Sequence, residues 1–129
     1  MAKLKECALS LLSATAIADL SAVQENLVYT VPAGKKCILS EGYLECAGDV
    51  GANLVCTAGQ DSAPSDFVGT TNGDNLDADE DAICMKPVPS ATPTKMKIYP
   101  AGTLIKLDVT VGGNAVAGVY YLFGFLIDV

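Results

Sequence analysis

The sequence predicts an all-β fold, a two-sheet antiparallel β-sandwich, on three observations. From Leu27 onward, apolar runs of strand length are separated by gaps that hold Gly, Pro, Asn or Asp at nearly every break. The stretch 104–111, LIKLDVTV, alternates strictly, with Ile105, Leu107, Val109 and Val111 on one side and Lys106, Asp108 and Thr110 on the other. The closing stretch, AVAGVYYLFGFLIDV, is apolar on both sides. A chain of 129 residues that is 50% hydrophobic and 18% charged is the size of one domain and can bury a real core. Residues 1–129 are therefore read as a single sandwich domain.

Residues 1–26 form an amino-terminal segment expected to pack on the domain or on a neighbouring subunit. Its stretch 4–18 fits a helix, with Leu4, Cys7, Ala8, Leu11, Leu12 and Ala18 near one face, and fits a strand equally well. The first 18 residues also resemble a secretory leader, but Glu6 interrupts the basic part and Ser10 and Ser13 dilute the apolar part, so no leader is expected. LVYTV at 27–31 reads as a strand that reaches Pro32, and the Pro-Ala-Gly turn leads into KKCILSEGYLEC. CAGDVGANLVC suggests a symmetric hairpin about Val50 to Ala52, which would set Cys46 opposite Cys56.

Residues 60–82 show no hydrophobic periodicity and are expected to be a long acidic loop, pinned at Phe67 and Val68. AICMK is a brief strand, and the three prolines of PVPSATP favour an extended edge connection. KMKIY places Met96 and Ile98 on one side and Lys95, Lys97 and Tyr99 on the other. A second Pro-Ala-Gly turn follows at Pro100, and Gly112–Asn114 carries a hairpin signal into the last strand. There Val119, Tyr121, Phe123, Phe125 and Ile127 line one face, and Tyr120, Leu122 and Leu126 the other. A sandwich strand turns only one face to the core, so the other face needs cover from the amino-terminal segment or another subunit.

The charge distribution excludes several partners. The net charge is −7, all eight basic residues are Lys, and there is no Arg, His or Trp. Residues 60–82 hold seven acids and no Lys, so the whole excess charge belongs to one segment. Without an Arg fork and with net repulsion of phosphates, nucleic acid is not an expected partner. No apolar run approaches the roughly 20 residues of a membrane-spanning helix, and no membrane partner is expected.

Motifs for chemistry fail at named positions. Asp77, Asp79 and Asp81 occupy the first, third and fifth places of an EF-hand loop, but Ala82 stands where Gly is needed and Val88 where a bidentate Glu is needed. Asp74, Asp77, Asp79 and Asp81 remain candidates for a looser cation site, against a solvated acidic loop as the expected reading. Five cysteines (Cys7, Cys37, Cys46, Cys56, Cys84) show no CxxC spacing and are expected as buried free thiols. No His is available as a base, Glu41 and Glu45 share the solvent face of a strand, and no phosphate or dinucleotide loop is present. No catalytic residue and no cofactor is predicted.

An amino-terminal segment, then LVYTVPAGKKCIL at Leu27–Leu39, further short strands with a long loop, and an apolar closing strand resemble the small jelly-roll decoration (cement) proteins of tailed bacteriophage heads. The resemblance covers most of the chain as an arrangement, and Leu27–Leu39 as sequence. It implies a jelly-roll-like sandwich and a non-enzymatic protein that binds the major capsid protein as a homo-oligomer, often a trimer. It further implies synthesis in the host cytoplasm, a place on the outside of the virion shell, and a role in stabilising that shell. Phage tail and fibre modules carry a similar strand and turn, and an exported sugar- or surface-binding sandwich is the alternative reading.

Overall fold

A computed structural model describes residues 8–87 and 97–129, which form nine strands and no helix. The strands are β1 (Ser10–Ile17), β2 (Gln24–Thr30), β3 (Lys35–Cys46), β4 (Val55–Gln60), β5 (Ala63–Asn72), β6 (Ala82–Met85), β7 (Ile98–Tyr99), β8 (Leu104–Val111) and β9 (Gly118–Asp128). One sheet has the order β1-β9-β3-β6, with β7 also paired to β3, and the other has the order β2-β8-β4-β5. Every described pairing is antiparallel. Apart from the two-residue β7, these eight strands have the jelly-roll arrangement of two interlocked Greek keys.

The core lies between the sheets. Ile17, Leu39, Leu44, Tyr120 and Leu122 descend from the five-stranded sheet onto Val28, Cys56, Ala58, Ile105, Leu107 and Val109 of the four-stranded one. The alternation of β8 therefore reads correctly for three of its four apolar positions. Val111 is 47% exposed, because the pairing with β4 slips by one residue between Val55 and Cys56, and a one-residue slip turns the following side chain to the other face.

Both Pro-Ala-Gly segments are turns. The Lys35 N–H donates to the Pro32 carbonyl and the Thr103 N–H to the Pro100 carbonyl, each at 3.2 Å, with Gly34 and Gly102 at φ of 75° and 84°. The two turns are also tied together, since Gly102 donates to the Val31 carbonyl and Val31 to the Thr103 carbonyl.

Several expected connections are different. The stretch 47–54 is no hairpin: β3 and β4 lie in opposite sheets, Val50 and Leu54 plug the crossing at 0% exposure, and Cys46 and Cys56 are not cross-strand partners and are both free thiols. Gly112–Asn114 likewise crosses between sheets. Its glycines are needed for close approach, as a Cβ on Gly112 would lie 1.9 Å from the Ser21 carbonyl oxygen. Residues 60–82 are not one loop, because β5 occupies Ala63–Asn72 as the edge strand beside β4. Register shifts at Cys56/Ala58 and Ala58/Gln60 break its periodicity, and only Phe67 and Val68 reach the core. The ambiguous segment resolves as strand, with β1 paired to β9 from Ser10 through Ile17. In β7 the core takes Tyr99, 1% exposed, and leaves Ile98 at 49%. The readings of Val88–Pro93, of Lys95 and Met96, and of residues 1–7 with Cys7 fall outside the described residues.

Candidate binding surface

The strand with two apolar faces sits in the middle of the five-stranded sheet. Pairing of β9 with β1 on one side and β3 on the other directs Tyr120 and Leu122 into the core. The alternate residues Val119, Tyr121, Phe123, Phe125 and Ile127 then lie on the outer face, half-buried by their neighbours. Cross-strand register extends the patch. Leu11 of β1 lies opposite Phe123, Ile38 of β3 opposite Phe125, Tyr43 of β3 opposite Tyr121, and Ile98 of β7 opposite Ile38. Tyr43 and Phe123 meet edge to face, with ring centroids 5.8 Å apart. Leu11 and Ile98 are 52% and 49% exposed, so the strip is open at its margins.

The polar residues of this face come from the outward positions of β3. Lys36 is paired in register with Ile127, Glu41 with Phe123 and Glu45 with Val119. Glu41 accepts a hydrogen bond from the Tyr43 hydroxyl at 3.1 Å and lies 3.5 Å from Lys86. The neighbouring Cys84 and Glu41 push the Tyr43 phenol up to about 12. Lys36 and Glu45 have no ion-pair partner among the described residues and stand at opposite ends of the strip. β3 thus shares the doubly apolar character of β9 in its middle. Sequence reading found the β9 half of this surface but missed Leu11, Ile38, Tyr43 and Ile98, although Ile38 and Tyr43 interleave with the core residues Cys37, Leu39 and Leu44.

Of the four acidic candidates, Asp77 and Asp81 come together, and the set forms no metal-holding cluster. Asp74, Asp77 and Asp79 are exposed in the connection from β5 to β6, and Asp81 is partly buried. One carboxylate oxygen of Asp81 accepts the backbone N–H groups of Asp77 (3.3 Å) and Ala78 (3.0 Å), so it closes a turn. Hydrogen bonding to Asp81, and then its charge, push the Asp77 carboxyl up. Among the described residues no group of three or more Asp, Glu, Cys or His could hold a metal ion.

Two other carboxylates were not singled out from sequence. Asp66 of β5 accepts from the Gln60 backbone (3.0 Å) and side chain (2.7 Å), from Tyr99 Oη (2.9 Å) and from Lys97 Nζ (2.7 Å). Burial pushes its pKa up, but the four hydrogen bonds together outweigh burial and hold it below the usual carboxylate value. This knot fastens β7 to the four-stranded sheet across the edge of the sandwich. Asp108 of β8, expected to be wet, is 8% exposed, and its Oδ1 has no hydrogen-bond partner. It lines an open cleft with Val23, Gln24, Glu25 and Thr110.

Cys37, Cys46 and Cys56 are buried free thiols and Cys84 is an exposed one. Burial pushes Cys37 up to about 11 and Cys56 to about 12, which keeps both as neutral thiols at ordinary pH.

No family model matches the sequence, and no curated protein matches it. Among solved structures, the chain is similar to one in the acidic stable capsid structure of Helicobacter pylori bacteriophage KHP30, with a TM-score of 0.55 and 15% identity over 95% of this chain and 97% of that one. It is also similar to a chain of the cyanophage Pam1 capsid asymmetric unit, with a TM-score of 0.53 and 10% identity over 92% and 84% of the two chains. At these identities the likeness is one of fold alone.

Proposed function

We propose that this chain is a non-enzymatic structural protein of a bacteriophage virion, which decorates the outside of the capsid by binding to the major capsid protein as an oligomer. The observation that carries the reading is the open apolar strip on a jelly roll whose fold neighbours, matched over nearly their whole length, belong to capsid structures. The mechanism is geometric. A rigid two-sheet body brings a prepared apolar surface to a neighbour, and the free energy comes from area removed from water, at roughly 25 cal/mol per Å². The excess negative charge is confined to β5 and the two connections flanking it, and the second of these meets β3 at Cys46, beside the Glu45 end of the strip, so the middle of the strip can be covered without large charge repulsion.

The test is addition of the purified chain to empty, expanded capsids from the same source. Saturable binding at a fixed ratio to the shell subunit, with a raised temperature of capsid disruption, is the expected result. The ratio at saturation also reads whether the chain sits there in threes, as the sequence resemblance implies. Failure to bind such capsids at any ratio would sink the decoration reading.

A further inference from the structure

We infer that the outer strip of the five-stranded sheet is covered by a second copy of this chain, with Lys36 of one copy set against Glu45 of its neighbour. The inference deepens the oligomeric part of the proposed function and rests on three observations about the strip itself.

The first is size. Large side chains carry roughly 200 Å² each. Two that stand half exposed, Leu11 and Ile98, and seven half-buried ones therefore present on the order of 500 Å², within the range of the largest apolar patch on a monomer. Doubled across a contact between copies, that reaches about 1,000 Å², the lower bound of a specific protein interface.

The second is charge placement. Lys36 and Glu45 both point outward from β3, one at each end of the strip, about 27 Å apart at the rise of an extended strand. Neither has an ion-pair partner among the described residues, whereas Glu41 between them is close to Lys86. A surface that is positive at one end, apolar in the middle and negative at the other is complementary to itself when the neighbour's strands run the opposite way. That is a two-fold contact, in which the same strip is used by both copies and the Lys36–Glu45 contact forms twice.

The third is shape. The strip runs along the central strands β9 and β3, whose register shifts between Leu39 and Glu41; Glu41, opposite Phe123, is close to Lys86, and the two charges without an ion-pair partner lie at the ends. This puts the free charges at the rim of the apolar surface.

The experiment is a charge exchange read by sedimentation equilibrium and light scattering on the full chain, without capsids. The parent chain is expected to associate across the micromolar range. Lys36→Glu and Glu45→Lys, each alone, should weaken association about 10-fold, because each sets like charges against one another. The double exchange should return to within about three-fold of the parent. Phe125→Glu should give a monomer, with circular dichroism and thermal melting confirming that it folds. If that variant does not fold, Leu11→Lys at the exposed margin replaces it, and should weaken association in the same way. A parent that stays monomeric overturns the inference, as does a double exchange no better than the singles. A chain that binds capsids yet never self-associates would overturn this inference and leave the decoration reading standing, and the converse result would do the opposite.

Discussion

Replacing Asp108 by Asn should stabilise the protein at neutral pH and do nothing at acid pH. Asp108 projects from the middle of β8 between Glu25 of β2 and Thr57 of β4, its partners in register. The residue is 8% exposed, its Oδ1 is sealed from water without a hydrogen bond, and the charged groups around it are Glu25, Lys106 and Asp61. Lys106 already serves Glu25 at 3.2 Å and Asp61 at 2.6 Å. Burial first, and the charge of Glu25 second, push the Asp108 carboxyl above its ordinary 3.8, with Lys106 pulling the other way. A carboxyl with a raised folded pKa binds its proton more tightly in the native state. Its contribution is most favourable below the unfolded value and is lost as pH rises through the folded one. A buried unsatisfied polar group costs about 1–3 kcal/mol. Asn removes only the charge from that cost, so a gain of about 1 kcal/mol at pH 7 is expected. For a domain of this size that corresponds to roughly 3–6 °C in Tm. Urea unfolding at pH 7 and pH 4 is the assay, and the advantage of the variant should shrink toward zero at pH 4. A variant that is less stable at pH 7, or one whose advantage is the same at both pH values, refutes the reasoning.

Asp66 should behave in the opposite sense. Its folded pKa is depressed, so its contribution is present above the ordinary 3.8 and is lost as pH falls through the folded value; a stability profile should lose its acid limb in Asp66→Ala. The same substitution leaves the buried Tyr99 hydroxyl without its acceptor and should cost about 2–3 kcal/mol by denaturant melt. For the thiols, alkylation of the native protein at pH 8 followed by peptide mass mapping should modify Cys84 and spare Cys37, Cys46 and Cys56, with all of them reacting in denaturant. Rapid native labelling of Cys37 or Cys56 would contradict the raised pKa values that burial gives them.

The strand class and the core of β8 were legible because alternation is a local signal, and Ile105, Leu107 and Val109 needed only their own neighbours to be placed. The connections were not legible for a topological reason. Gly-rich turns normally announce hairpins, but here β4 and β5 are, among the described strands, the one consecutive pair that bond to each other. At 47–54 and 112–117 the same residues carry the chain from one sheet to the other. β5 was hidden because an edge strand with bulges shows no period. The binding surface was half legible. An apolar stripe on both sides of β9 is a strong signal, but Ile38 and Tyr43 gain meaning only once β3 is known to lie against β9. Asp108 could not be found at all, since alternation assigns it to water and only the flanking β2 and β4 bury it.

The place of β9 also sets the order in which the molecule can be made. It is made after every other described strand, yet it lies between β1 and β3, and β8, made just before it, lies between β2 and β4. Until β9 emerges, β1 and β3 each present an unpaired edge, and the outward apolar residues of β3 lack their β9 neighbours. Folding must wait for β9 and then form pairings of long sequence separation, the slow class of two-state folding. During that wait the chain is exposed to edge-to-edge association with other nascent copies. Loss of Gly118–Asp128 would remove a central strand of the five-stranded sheet and not merely trim an edge.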